Sequence, residues 1–401
     1  MNRPPKKIAL PFWLESLALL IIPFEETLSL SIGSVLRIVN LLVLFTGIVF
    51  AVSRGKKAEI RSSTARFCLF YVFMVSSVIW CKYFGLYFDR LSTYSLGVAL
   101  IVVLQMLEPN ESEQDLLVSA LWLGGVAVSL MILYSGSATI SIGGRETIVL
   151  FGRQVDPNYL SFSIVISSAI NFYYLVSREY KVFVKIVLGF LQFVLASTII
   201  ALGSRGAFLS TAVVLACMVL NTQYKRNAWL KKSILVICAL AVASVFYMSI
   251  LETGGEMSRF TVDNLLGKGV YGTAKRADIW AHAIEQFQKR PLLGYGLGSA
   301  PSAIAEVYRY VGTHNSYLMI LLEFGIIGFI LFCNWQIPWI WNLYHRPNRI
   351  YFFMELAVLC FIMFIEGFPT KAFWGVHIVM FVGSCRSRYS SDSTEEYLCK
   401  I

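Results

Sequence analysis

Charge is scarce in this sequence. Asp, Glu, Lys and Arg make up 14% of its 401 residues, against roughly 25% in soluble domains, and that shortage excludes an ordinary water-soluble domain. Material for disulfide or zinc chemistry is also thin. The eight cysteines fall largely inside apolar segments (Cys68, Cys217, Cys238, Cys333 and Cys360 among them), none stands in a Cys-x-x-Cys pair, and the long polar connections contain none. They read as small buried hydrophobes. No small-residue cleavage site follows the basic N-terminus (Arg3, Lys6, Lys7), so the first apolar stretch reads as a spanning helix rather than a removable leader. No internal repeat is visible, and low complexity is confined to the polar tail 387–396. The net charge of +10 is dispersed between apolar runs instead of gathered on one face, which argues against a nucleic-acid partner and for the positive-inside rule.

What the sequence has in quantity is apolar length. Hydrophobic residues make up 57% of the chain, in runs near 8–24, 31–52, 67–84, 91–107, 116–134, 158–176, 182–202, 207–221, 233–250, 314–333, 350–366 and 370–385. A bilayer crossing takes about 20 such residues, so the expectation is an all-α polytopic membrane protein of about twelve spans, with residues 1–401 forming one integral membrane domain. Basic residues crowd the loops after the second, eighth and tenth runs: Arg54 to Arg66, Lys225 to Lys232, and Arg346 with Arg349. All three are even-numbered exits, which places both termini in the cytoplasm. Two long connections, 135–157 and 251–313, then fall on the opposite side, and polar segments of that length mark the working face.

Several residues in and around those connections carry chemistry. Thr313-His314-Asn315-Ser316-Tyr317 opens an apolar helix containing Glu323, Gly325 and Gly328. At 100° per residue both glycines return to the azimuth of His314, so one face offers an imidazole at the membrane boundary above two sites of close helix approach. On spacing alone His314 is either an interfacial helix-start residue or a functional imidazole. Ser204-Arg205-Gly206 lies between two runs, where arginine either snorkels to the interface or captures an anion bidentately. Asp156-Pro157-Asn158 has the pattern of an N-cap followed by proline at the first helical position, and Arg145 and Arg153 precede it in the same loop. Lys275 and Arg276 begin an amphipathic helix running to Arg290-Pro291 and then Gly294-Tyr295-Gly296-Leu297-Gly298. No strand precedes that glycine loop, so it is not a dinucleotide fingerprint and reads as a flexible loop beneath a lid. Glu323, Glu355 and Glu366 lie inside apolar runs and are expected to point inward, paired with Arg37, Lys371 or backbone.

Arg276, Trp280, Pro291, the glycine loop, and His314-Asn315 followed by nine residues and Gly325-Ile326-Ile327-Gly328 together resemble the signature of the O-antigen ligase and O-antigen polymerase superfamily. With Ser204-Arg205-Gly206 and Asp156-Pro157-Asn158 the resemblance covers about 150–335. It implies a twelve-helix, GT-C-like fold in the bacterial inner membrane, with an extracytoplasmic helical loop facing the periplasm. It also implies an undecaprenyl-diphosphate-linked oligosaccharide as donor and an inverting transfer that needs neither metal nor cofactor. By position His314, Arg205 and Arg276 are the catalytic residues, and Asn315, Arg145, Arg153 and Asp156 are expected to contact substrate. The long connections contain no Asp-x-Asp pair.

Within that superfamily the acceptor divides the activities. A polymerase extends a second lipid-linked repeat unit, and a chain-length regulator is then an expected partner; a ligase uses lipid A–core. The motif around His314, with Asp156 upstream, looks more like the polymerases. A polysaccharide or lipid transporter is the rival from another class. It predicts repeated halves and interrupted midplane helices, neither of which the sequence displays.

Overall fold

The computed structural model describes residues 7–30, 33–55, 60–134, 139–142, 145–151, 153–221 and 274–385. The expected ninth span, 233–250, lies outside the described residues, as do Lys225 to Lys232 and the first part, 251–273, of the connection 251–313. The described residues form α1 (Leu10–Ile21), α2 (Val35–Ser53), α3 (Ser62–Ser76), α4 (Tyr87–Met106), α5 (Glu111–Tyr134), α6 (Pro157–Ser177), α7 (Val182–Ala201) and α8 (Arg205–Asn221). They continue with α9 (Ala274–Lys289), α10 (Ala300–Ala305), α11 (Ser316–Tyr344), α12 (Ile350–Phe361) and α13 (Lys371–Gly383). Seven helices among the described residues are long and apolar enough to cross a membrane. Four shorter apolar helices accompany them, so a polytopic membrane protein stands and the count of twelve does not follow. The short pair explains part of the difference. At twelve and thirteen residues, α12 and α13 are only about 18–20 Å long, against about 30 Å of hydrocarbon.

The ends of the bundle sort cleanly. Arg61 Nη1 donates to the Ser384 carbonyl at 2.8 Å, Arg346 bonds the same carbonyl, and Gln114 donates to Cys385 at 3.1 Å. The basic loops around Arg61 and Arg346 thus share one end of the bundle. At the other end the connection 135–157 contains an antiparallel meander, β3 (Thr139–Ile142), β4 (Arg145–Leu150) and β5 (Arg153–Val155), which leads directly into α6. A two-stranded ribbon, β1 (Ser29–Leu30) with β2 (Gly33–Ser34), joins α1 to α2.

The departure of most consequence is in α11. Gly325 has φ 63° and ψ −166°, a conformation open essentially to glycine alone, and the helix breaks there. The two arms then double back. The Tyr317 and Phe332 rings lie 6.0 Å apart, whereas fifteen residues of continuous helix would separate them by about 22 Å. Phe70 of α3 wedges against both arms, 6.3 Å from Phe324 and 5.8 Å from Phe332. The expectation that Gly325 and Gly328 share the azimuth of His314 on one helix is therefore overturned: no continuous helix connects them.

The backbone groups freed at the break are met by residues 291–296. Tyr295 N donates to Leu322 O (3.0 Å), Gly296 N to Glu323 O (2.7 Å), Ile326 N to Pro291 O (2.8 Å) and Ile327 N to Leu292 O (3.3 Å). The glycine loop is consequently buried and packed, which corrects the flexible-loop expectation. Gly294, Gly296 and Gly298 all have positive φ. A Cβ at these positions would meet the Glu323 carbonyl, Cys81 and Leu86 at 2.5, 2.7 and 2.9 Å. Gly325→Ala would drive its methyl into the Leu292 carbonyl in a backbone region that costs a side chain about 1–3 kcal/mol. A loss of at least about 2 kcal/mol is expected, read as a lowered unfolding midpoint in detergent; an unchanged midpoint would contradict the described break.

Candidate functional site at the broken helix

His314 lies in the turn that enters α11, with φ 49°, a left-handed backbone that few non-glycine residues adopt. The turn is held from the α12–α13 connection. Glu366 accepts the Thr313 backbone N–H and, at 3.0 Å, the Thr313 hydroxyl. Ser316 N donates to Ile362 O at 2.8 Å, and Ser316 Oγ to Ile365 O at 2.9 Å. From the other side the Trp280 indole of α9 donates to the Thr313 carbonyl at 2.9 Å. Residue 313 is thereby fixed at both its amide and its carbonyl, and the unusual backbone of His314 follows.

Depth follows from the same contacts. Ile362 comes twelve residues after Ile350, and Phe332, which packs on Tyr317, comes twelve before Tyr344. Each interval is about 18 Å of helix measured from the Arg346 end. The His314 turn therefore lies about that far from the basic end of the bundle.

His314 lines a cavity of about 310 Å³ with Arg90, Asp156, Asn158, Tyr159, Tyr310 and Glu366 among its walls. Of the residues expected from sequence, the cavity brings together His314 and Asp156. Asp156 also caps α6, its carboxylate accepting Asn158 N–H at 2.8 Å, with Pro157 at the first helical position, so its capping role is present. Arg205 and Arg276 are not among the described residues that line the cavity. Arg205 is the first residue of α8 and follows Ser204, whose hydroxyl donates to the cavity residue Asn158 at 3.2 Å. Arg276 is half-buried in the first turn of α9, one helical turn before Trp280.

The remaining expected contacts are placed otherwise. Asn315 Oδ1 accepts Tyr317 N–H and Leu318 N–H at 2.9 and 3.2 Å, so it caps the first arm of α11 and its carbonyl oxygen is engaged in the fold. Arg153 is exposed on β5 opposite Leu150. Arg145 opens β4 five residues away, about 16 Å along the strand. Arg153 is not among the described cavity walls.

Two residues that sequence reasoning did not single out as site residues complete the arrangement. Arg90, half-buried in the first turn of α4, lies within electrostatic reach of Glu323 and Glu366. Glu366 was expected only to pair with Arg37, Lys371 or backbone, and backbone is what it and Glu323 find, Glu323 accepting Ala300 N–H at 3.2 Å. Lys371 pairs instead with Glu25, and Glu355 lies 3.6 Å from buried His377. The position of Arg90 at the edge of an apolar run was the one available signal, and a snorkelling arginine gives the same one.

Residues 190–333 match a family model described as O-antigen ligase. The O-antigen ligase resemblance holds over that segment. It runs from α7 into the second arm of α11 and includes Arg205, Arg276 and His314. A protein of Rickettsia conorii whose name gives polysaccharide ligase as its provisional description is 30% identical over 116 residues, a stretch covering 26% of this chain and 28% of that protein. The chain thus matches little more than a quarter of the relative's length.

Removing the Glu366 carboxylate would leave the Thr313 backbone N–H unmet and take one of two carboxylates from Arg90. Glu366→Ala is expected to destabilise the fold by about 2–4 kcal/mol, seen in detergent unfolding, with Glu366→Gln recovering part of the loss. Nearby, Glu306 takes a hydrogen bond from Lys82 at 2.7 Å, and this, with a further one from Tyr83, holds its carboxyl below the ordinary carboxylate range. The pair's contribution is present above the unfolded-state pKa and is lost as pH falls through the depressed folded value. The protection of amides across 299–313, taken relative to their intrinsic exchange rates at each pH, should therefore stay flat from pH 7 to 5 and fall only below the usual carboxylate range.

Proposed function

We propose that this chain is a membrane glycosyltransferase that moves a glycan from a lipid diphosphate to an acceptor hydroxyl, with His314 at the reacting centre. The observation that carries the reading is His314 itself. Its backbone is fixed in a left-handed turn, its side chain lines a cavity sunk into the bundle, and it lies inside the segment that matches the O-antigen ligase family.

The chemistry is a substitution at the anomeric carbon. The acceptor oxygen forms the new C–O bond, the bond to the diphosphate breaks, and the electron pair leaves with the lipid diphosphate. Neutral imidazole at His314 accepts or orients the acceptor proton. Negative charge grows on the leaving group, and fixed guanidiniums in a low-dielectric site stabilise it. Arg205 suits that role because it begins α8: a helix N-terminus already favours anions, and a cation placed there gains nothing from the helix dipole. Arg276 approaches from α9, with Trp280 anchoring that helix to the His314 turn. Asp156 remains available to the acceptor sugar as a cavity residue, while Asn315, Arg145 and Arg153 are weaker candidates on the placements above. The working face is the periplasmic one in this reading, with the basic end of the bundle in the cytoplasm of the inner membrane.

For the acceptor we take a second lipid-linked repeat unit, which makes the enzyme a polymerase. The relative's name favours the ligase reading, with lipid A–core as acceptor. Reconstitution with a synthetic lipid-diphosphate oligosaccharide decides: a ladder from donor alone supports polymerisation, and a single addition that requires lipid A–core supports ligation. His314→Ala is expected to lower transfer roughly 100- to 10,000-fold with normal expression and membrane insertion. Full transfer by that variant would end the assignment.

A further inference from the structure

Against a face of α4 adjoining that of the His314 cavity is a larger cavity, of about 410 Å³, walled by α1, α2, α4 and α13. The division is sharp: Arg90 faces the His314 cavity, and its neighbour Asp89 faces this one. Its chemistry is not that of a packing defect, which would be apolar and dry. Glu15 in its wall is 1% exposed, and its Oε2 has no hydrogen bond. Asn40 Oδ1, also in the wall, is buried without a partner. Both orphaned atoms are acceptors, so what the cavity lacks is a donor. At its rim Arg37 makes no ion pair among the described residues, whereas Lys371 is neutralised by Glu25.

A ligand that satisfies this set brings N–H donors for Glu15 and Asn40 and an anion for Arg37, and carries no net charge. A polyanion would instead meet the Asp89 carboxylate and the buried Glu15 carboxyl. The surroundings are lipidic: Ile38 and Leu41, which also line the cavity, are 38% and 51% exposed on the outer face of α2. We propose that this cavity holds the headgroup of a zwitterionic phospholipid with a primary amine, its ammonium on the Glu15 side and its phosphate at Arg37. A primary ammonium has three donors to give, and guanidinium is the natural phosphate partner; a quaternary ammonium has no N–H and leaves Glu15 and Asn40 unmet. The headgroup then rests against α4 and the start of α13, two elements that also lead to Arg90 and Glu366 of the other cavity. The proposal does not rest on glycan transfer.

The test is native mass spectrometry of the full chain released from nanodiscs of equimolar phosphatidylethanolamine, phosphatidylcholine and phosphatidylglycerol. The expected result is one retained phosphatidylethanolamine, with occupancy falling about tenfold in Arg37→Gln. That side chain is at the rim, so the variant folds without repacking, and Glu15→Leu gives the same loss from the amine side. Equal retention of the ethanolamine and choline lipids, preference for the glycerol lipid, or unchanged occupancy in Arg37→Gln would each overturn the assignment.

Discussion

A break in a transmembrane helix is tolerated only where other groups take over the hydrogen bonds it releases, because hydrocarbon supplies none and each orphaned group costs several kcal/mol. In this protein the obligation arises at Gly325, and residues 291–296 meet it with four backbone hydrogen bonds. Much of the site's architecture follows. The loop must lie flush against the break, which is why Gly294 and Gly296 approach the Glu323 carbonyl and Cys81 too closely for a side chain. The loop in turn grips the α3–α4 connection: Leu297 N donates to Ser77 Oγ at 2.9 Å, and Lys82 N to Tyr295 O at 3.0 Å. Because the first arm of α11 doubles back, its start lies deep in the bundle, and His314 lies there with it.

At that depth every ionisable group needs a reason to stay. Glu366 is tied to Thr313, and Arg90 lies within reach of both Glu366 and Glu323. The carboxylates and the guanidinium offset one another across the cavity wall, so the site can hold charge without taking it from the substrate. The arrangement also binds three distant parts of the chain, α4, the start of α11 and the α12–α13 connection, into one electrostatic unit.

Much of the fold was legible in the sequence, because apolar length is the signal a bilayer imposes most directly. Six expected spans, from 31–52 to 182–202, coincide with α2 through α7, and the amphipathic stretch beginning at Lys275 is α9. The doubled-back helix was not legible. Apart from Glu323 the residues around Gly325 are apolar, and a glycine in such a run reads as a packing site; its break is completed by a loop some thirty residues upstream. The convergence of His314 with Asp156 rested on family resemblance, since nothing local in either segment points to the other. Arg90 carries no local mark beyond its place at the edge of an apolar run. Its meaning comes from Glu366, at the far end of the chain. Glu366 itself looked like one more intramembrane carboxylate, because the backbone groups it accepts belong to a turn that periodicity cannot describe.

The pairing of 291–296 with the break in α11 also bears on biogenesis. The loop precedes the helix in the chain, so by the time Gly325 leaves the ribosome the segment that will cover its exposed carbonyls has already been made. The order is the favourable one, since the reverse would leave a bent, hydrogen-bond-deficient hairpin in lipid waiting for a partner not yet synthesised. A circular permutant opened between this loop and α11, with the loop moved to the new C-terminus, would keep every native contact yet impose that wait on membrane integration.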